Sequence, residues 1–280
     1  MGISFGDRLY EAMGLYGPVC VGIDPHPALL RDWGLSCSAQ GVRDFGLRLI
    51  DALGGHVAAV KPQVAFFEEY GSAGVAALEE VIAACRATGT LCIVDAKRGD
   101  IGSTMMGYAR AFLSDDSALA GDAVTLSPYV GVGALMPALE MAGQSGRGVF
   151  VLGLTSNPEG MSIQHCRDEG GESVAAKVMS EVSRKNMDYE FNHSGPFGVV
   201  VGATVGSALR QFLVNSSDFS GIFLAPGVGA QGAGSAEVRA VFGKMIDRVL
   251  ISTSRAVLSA GPSKEALCEA YEKTRSSLSL

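Results

Sequence analysis

No apolar run in this sequence approaches the roughly 18 residues that a membrane-spanning helix needs. The block Gly148-Val-Phe-Val-Leu-Gly-Leu154 is only strand-sized, although mean hydropathy is positive at +0.26. Charge is scarce too. Charged residues make up 18% of the 280 positions and apolar residues 48%, against roughly 25% charged in an average soluble protein. That composition excludes disorder, collagen and coiled coil. Positive charge is in deficit: 22 Lys and Arg face 29 Asp and Glu, for a net −7. A nucleic-acid partner is therefore disfavoured unless the basic residues gather on one face. The six cysteines (20, 37, 85, 92, 166, 268) contain no C-x-x-C pair, and the four histidines show no metal-ligand spacing. The expectation is a reduced, cytoplasmic, metal-free protein whose cysteines are buried packing groups. Asp7, Arg8 and Glu11 precede any apolar block, which argues against a signal peptide. Gly6 stands where a myristoylation signal after Met1-Gly2 wants Ser or Thr.

What is present is an alternation. Short Val/Ile/Leu-rich runs at 19–23, 57–61, 91–96, 123–127, 149–154, 198–202, 221–225 and 249–253 read as parallel strands covered on both faces. Between them lie stretches of helical period, such as Val42, Phe45, Leu49, Ile50, Leu53 and Val75, Leu78, Val81, Ile82, Cys85. Eight such units in one chain give the arithmetic of a (β/α)8 barrel forming a single domain over 1–280. The rival, a doubly wound sheet, wants G-x-G-x-x-G after the first strand. Gly22-Ile-Asp-Pro-His-Pro27 supplies no such loop. Three inserts exceed the minimal barrel: 25–40, with the only tryptophan, Trp33; 157–171, polar and glycine-bearing as a lid is; and 185–196, at the opposite end.

Barrel active sites lie at the C-terminal ends of the strands. Asp24 ends the first, Lys61 the second, Asp95 and Lys97 the third, and Asp100 is expected to open the helix that follows. Residues two apart on a strand share a face, so Asp95 and Lys97 point together while Arg98 points elsewhere. A lysine between carboxylates is held as the ammonium. The plain alternative is a salt-bridge network that closes the top of the barrel. Separately, the loops after strands seven and eight often bind phosphate. Here the first is the glycine-rich 226–234 and the second carries Arg255. Glycines admit backbone N–H groups, and arginine offers a bidentate fork.

The segment Asp95-Ala-Lys-Arg-Gly-Asp-Ile101 resembles the D-x-K-x-x-D-I signature of the orotidine 5′-phosphate decarboxylase family, in the form typical of its type 2 bacterial subgroup. Gly22-Ile-Asp-Pro-His26, Val60-Lys-Pro-Gln-Val-Ala-Phe-Phe-Glu68, Thr155-Ser-Asn-Pro158, Pro226-Gly-Val-Gly-Ala-Gln-Gly232 and Thr253-Ser-Arg255 are similar to further strand ends of that family. The resemblance implies a cofactor-free carbon–carbon lyase that converts orotidine 5′-phosphate to UMP and CO2. It implies that Lys97 protonates C6, that Asp95 lies against the scissile carboxylate, and that Lys61 contacts the ribose. It further implies that Asp24 binds a ribose hydroxyl and Ser156 the pyrimidine, and that Gln231 and Arg255 hold the phosphate, with Ile101, Pro226 and Gly232 also lining the substrate site. Asp100 and Thr104 are implied to reach into a neighbouring subunit's site, making a homodimer with no membrane or nucleic-acid partner. One departure is Ala233, where a second glycine is common.

Other readings remain open at this point. A metal-dependent decarboxylase of phosphosugar acids needs acidic Mg2+ ligands, for which Glu68 and Glu69 are the nearest candidates. A Schiff-base aldolase on Lys61 or Lys97 and a non-catalytic nucleotide-binding relic complete the alternatives. The Met105, Met106, Tyr108, Phe112 cluster has the spacing of core or interface. His26 lies near the site, and His56, His165 and His193 read as surface or loop residues.

Overall fold

In the computed structural model, which describes residues 3–206, 208–209, 219–228 and 234–278, eight parallel strands close into a barrel in sequence order. They are β1 (Val19–Ile23), β2 (Ala59–Pro62), β3 (Leu91–Arg98), β4 (Ala123–Leu126), β5 (Gly148–Leu154), β6 (Phe197–Val201), β7 (Phe223–Pro226) and β8 (Val249–Thr253). Every position of β1, β2, β4, β6 and β8 is buried. That is the physical reason these strands read as unbroken apolar runs. Both helical-period stretches form, inside Ala39–Leu53 and Gly71–Ala87, and these two helices pack against each other on the outside of the barrel.

Strand bounds shift where pairing rather than composition sets them. β2 starts at Ala59, opposite Cys20, and β7 at Phe223, opposite Val199. β3 runs on to Arg98 because its register against β4 slips between Val94 and Arg98.

The interior is layered by the two-residue strand period. Cys20, Ala59, Ile93, Ala123, Phe150, Val200, Leu224 and Leu250 form an apolar lower cluster with Phe5, Leu9 and Met13. Those last three come from a helix, Phe5–Tyr16, that precedes β1 and plugs the lower mouth. Phe5 meets Phe150 edge-on with ring centroids 6.0 Å apart. Two residues up the strands, the positions become Gly22, Lys61, Asp95, Thr125, Leu152, Gly202, Pro226 and Ser252. The apolar plug leaves the polar layer facing the upper mouth.

The inserts are folded. In the first, the helix Pro27–Asp32 is followed by Trp33, whose Nε1 donates to the Leu258 carbonyl at 3.0 Å and whose ring packs on Phe45. In the second, the side chain of Gln164 clasps Thr155: its Oε1 accepts the Thr155 N–H at 2.9 Å, and its Nε2 donates to Thr155 Oγ1 at 2.7 Å. The third lies at the lower end, as expected from the sequence. There the Asp7 carboxylate accepts the backbone N–H groups of Asn192, His193 and Ser194 at 2.7–3.0 Å. The cysteine expectation holds only in part. Cys20, Cys85 and Cys92 are buried, but Cys37 and Cys166 are exposed because the loops that carry them lie on the surface. No helix among the described residues is long and apolar enough to cross a membrane.

Candidate active site

Three charged groups meet at the centre of the polar layer. Lys61 Nζ donates to Asp95 Oδ2 at 2.7 Å, and Lys97 Nζ donates to Asp95 Oδ1 at 2.6 Å. Lys61 and Asp95 are 7% and 6% exposed. Two such charges persist in a low-dielectric interior only as a paired, hydrogen-bonded set. Burial opposes the charge on Lys61, but the Asp95 and Asp24 carboxylates override it and raise its pKa further. Burial likewise opposes the charge on Asp95, and Lys61 and Lys97 override that penalty, so its carboxyl stays far below the usual carboxylate range. Directly beneath Lys61 in β1, Cys20 is pushed up to about 12 by burial, a thiol that packs rather than reacts.

Lys97 differs from its partners. Its side chain is 43% exposed toward the upper mouth, and its backbone sits at φ +47°, the one non-glycine with positive φ among the described residues. A residue with a Cβ adopts that conformation at a cost of about 1–3 kcal/mol, a strain that gathers at functional positions. Its amine also donates to Gln63 Oε1 at 3.3 Å. The neighbour Arg98 points away, pairing with Glu68 and lying 5.8 Å over the rings of Tyr108 and Phe112. Glu68 is thereby committed to an arginine, and the Tyr108–Phe112 face to a cation. Among the described residues, no cluster of His, Cys, Asp and Glu is arranged to hold a metal ion.

Asp24 stands at the rim. Its Oδ2 accepts the Ser254 hydroxyl, while its Oδ1 is buried without a hydrogen-bond partner among the described residues. A buried acceptor left unmatched costs about 1–3 kcal/mol, so Oδ1 is poised for a donor that arrives from the mouth. Gly22 makes this corner possible, since a Cβ there would lie 2.1 Å from Ser254 Oγ and 3.0 Å from Asp24 Oδ2. Gly99 has a matching role in the Asp95–Ile101 segment, where a Cβ would lie 2.3 Å from the Ser127 carbonyl.

Several expected site residues are not drawn into this array. Asp100 does not open a helix: the helix Gly102–Leu113 has Ile101 at its N-cap, and Asp100 Oδ1 accepts the Ile101 N–H at 2.8 Å. The short side chain finds the nearest N–H instead. Among the described residues Asp100 makes no ion pair, and Thr104 is exposed one turn on. Ser156 lies beside the β6 end, with its Cβ 3.1 Å from where a Gly202 side chain would start. Pro226 ends β7, and Arg255 opens the helix Arg255–Leu258 next door. Gln231 and Gly232 lie outside the described residues. His26 packs on Phe66, and His193 stacks on Tyr10 at the lower end.

Three contributors escaped the sequence reading: Gln63, Thr125 and Ser254. Each is an uncharged polar residue at a strand end. Thr125 carried the clearest signal, as a lone hydroxyl at an inward position of the otherwise apolar Ala123–Leu126. Two clefts, of about 170 and 930 Å3, lie elsewhere, lined by residues such as Arg8, Arg86 and Arg147 in one and Asp7, Tyr189 and Asn192 in the other. Neither includes a member of the charged array.

A closed (β/α)8 barrel with a Lys–Asp–Lys array at its upper mouth defines the class: a barrel enzyme whose site lies at the C-terminal ends of the strands. Residues 17–270 match the family model described as orotidine 5′-phosphate decarboxylase / HUMPS family. A Salinispora arenicola protein named orotidine 5′-phosphate decarboxylase is 50% identical over 270 residues, covering 96% of this chain and 95% of that one. A Streptomyces avermitilis crystal structure ascribed to the same enzyme superimposes with TM-score 0.93 at 49% identity, covering 99% of this chain and 95% of that one. The Leishmania donovani OMP decarboxylase structure gives 0.76 at 31% identity, with 98% and 99% covered. The chain belongs to the orotidine 5′-phosphate decarboxylase / HUMPS family.

Proposed function

We propose that this protein decarboxylates orotidine 5′-phosphate to UMP and CO2, a step of pyrimidine biosynthesis, without a metal or organic cofactor. The observation that carries the reading is the Lys61–Asp95–Lys97 chain, anchored in the interior at one end and presenting an ammonium to the mouth at the other. When the C6 carboxylate leaves, the electron pair of the broken carbon–carbon bond stays on a ring carbon with little resonance relief. A fixed cation in a site shielded from water is the large lever available. Lys97 stabilises that charge and transfers its proton to C6. Asp95 aligns the amine and lies against the departing carboxylate.

The remaining roles follow from position. Asp24 Oδ1, buried and unmatched, is the acceptor for a ribose hydroxyl, and Lys61 steadies the array beside the ribose. Ser156 reads the pyrimidine at the foot of the 157–171 insert, which serves as a lid. The phosphate takes Arg255 and the loop after β7, with Gln231 and Gly232. A local basic pocket can thus bind a dianion despite a net charge of −7. The metal-dependent alternative is disfavoured by the pairing of Glu68 with Arg98.

We place the enzyme in the cytoplasm as a homodimer. Ile101, Tyr129 and Val130, just beyond β3 and β4, are 62%, 81% and 48% exposed, and Asp100 and Thr104 lie on the same side, free to complete a partner's site. The test of the chemistry is an absorbance assay of orotidylate in excess EDTA. Sustained UMP formation is expected, and turnover that needs an added divalent metal would overturn the reading. The shared site is tested by mixing Lys97→Ala and Asp100→Ala subunits under exchange conditions. Partial recovery of activity is expected, and no recovery contradicts it.

A further inference from the structure

The ring of hydrogen bonds around Lys97 closes through a group that belongs to neither lysine nor carboxylate. Thr125, 1% exposed on β4, accepts the backbone N–H of Lys97 at its Oγ1 over 2.9 Å. The same hydroxyl donates to Asp95 Oδ1 at 2.8 Å. That oxygen is also the one that receives the Lys97 ammonium at 2.6 Å. The direction of both bonds is fixed by chemistry: a backbone N–H can only donate and a carboxylate can only accept, so the single hydroxyl proton points to Asp95.

The location explains the need. Between Val94 and Arg98, β3 advances four residues while β4 advances two, from Val124 to Leu126. Such a slip leaves backbone groups without ladder partners. Lys97, held at φ +47°, is in the middle of it. Its N–H finds no strand carbonyl and is satisfied by the Thr125 side chain, after which backbone pairing resumes as the Ser127 N–H donates to the Arg98 carbonyl at 2.7 Å. We infer that Thr125 is a positioning residue for the decarboxylation: its hydroxyl locks the left-handed backbone of Lys97 to the very carboxylate oxygen that aims the Lys97 amine.

This inference rests on the decarboxylase reading, and the experiment separates the two. Thr125→Val keeps the shape but removes the hydroxyl, and Thr125→Ser restores it. Orotidylate turnover, UMP affinity and melting temperature are measured on the wild type and both variants. Expected for Thr125→Val is a kcat reduced about 10–100-fold, the scale on which residues that orient a metal's ligands through hydrogen bonds affect activity. UMP affinity should hold within about 3-fold, and Thr125→Ser should recover most of the rate. Wild-type kcat in Thr125→Val overturns the inference, as does an equal loss in the valine and serine variants. If Thr125→Val is insoluble, Thr125→Ala, which also lacks the hydroxyl, carries the same comparison with the same two outcomes. Absence of turnover in the wild type would instead sink the decarboxylase reading itself.

Discussion

The two mouths of the barrel each hold a buried carboxylate whose pKa is lowered, and they do so by opposite means. At the lower mouth burial works against Asp7, but the backbone N–H groups of Asn192, His193 and Ser194, with the Ser4 hydroxyl, outweigh it. Its three backbone bonds join the N-terminal helix to the 185–196 segment, below a layer of Phe5, Leu9, Phe150 and Leu250. At the upper mouth Asp95 is held down by two ammonium groups, one buried and one reaching outward. Asp24 beside it keeps an unmatched oxygen. A carboxylate satisfied by fixed backbone dipoles is a structural joint. One balanced between two side-chain ammonium groups, next to an open acceptor and with one of those lysines in a strained backbone, is equipped for chemistry.

Exchanging each carboxylate sharpens that contrast. Asp95→Asn leaves Lys61 charged in the interior without the carboxylate it hydrogen-bonds, with only Asp24 nearby. Turnover should fall at least about 10²–10³-fold, the scale of losing a preorganised electrostatic group, and stability by about 3–5 kcal/mol. Asp7→Ala strands the N–H of the buried Ser194, while Asn192 and His193 are exposed and turn to water, so a smaller stability loss of about 1–3 kcal/mol is expected in denaturant melts, with kcat within about 2-fold of wild type. The pH dependence carries a sign. Because the folded pKa of Asp7 lies below the unfolded value of 3.8, its contribution is complete above that value and fades as pH falls through the folded one. Asp7→Ala should therefore flatten part of the acid limb of stability below about pH 4. A large kcat loss in Asp7→Ala, or full activity in Asp95→Asn, would break the comparison.

Much of the upper mouth was legible in the sequence because charge is conspicuous among apolar strands. Strands β1 and β8 fall on the expected residues, and Asp24, Lys61, Asp95 and Lys97 converge as their strand-end positions imply. The two-residue period also separated Arg98 from Lys97. What stayed hidden depends on backbone geometry that side-chain identity does not encode. Nothing about a lysine announces a left-handed φ, so the β3 bulge, and with it the role of Thr125, could not be read from Asp95-Ala-Lys97. Asp100 was misplaced by two residues for a similar reason: its bond to the Ile101 N–H is local and competes with a helix start. The plug helix was overlooked although Ser4, Phe5, Leu9 and Met13 give a cap and a helical stripe, since it covers the end of the barrel rather than its flank. The loop after β7 had a strong glycine signal, but Gln231 and Gly232 fall outside the described residues.

The most direct probe of the account is the Lys97→Ala variant, assayed for orotidylate turnover alongside UMP binding by titration. The side chain is 43% exposed, so its removal should spare the fold, while the loss of proton donor and cation together should cut kcat by about 10⁴-fold or more and leave UMP affinity within about 10-fold. A variant that turns over at a tenth of the wild-type rate or better would contradict the claim that the ammonium at position 97 receives the electron pair.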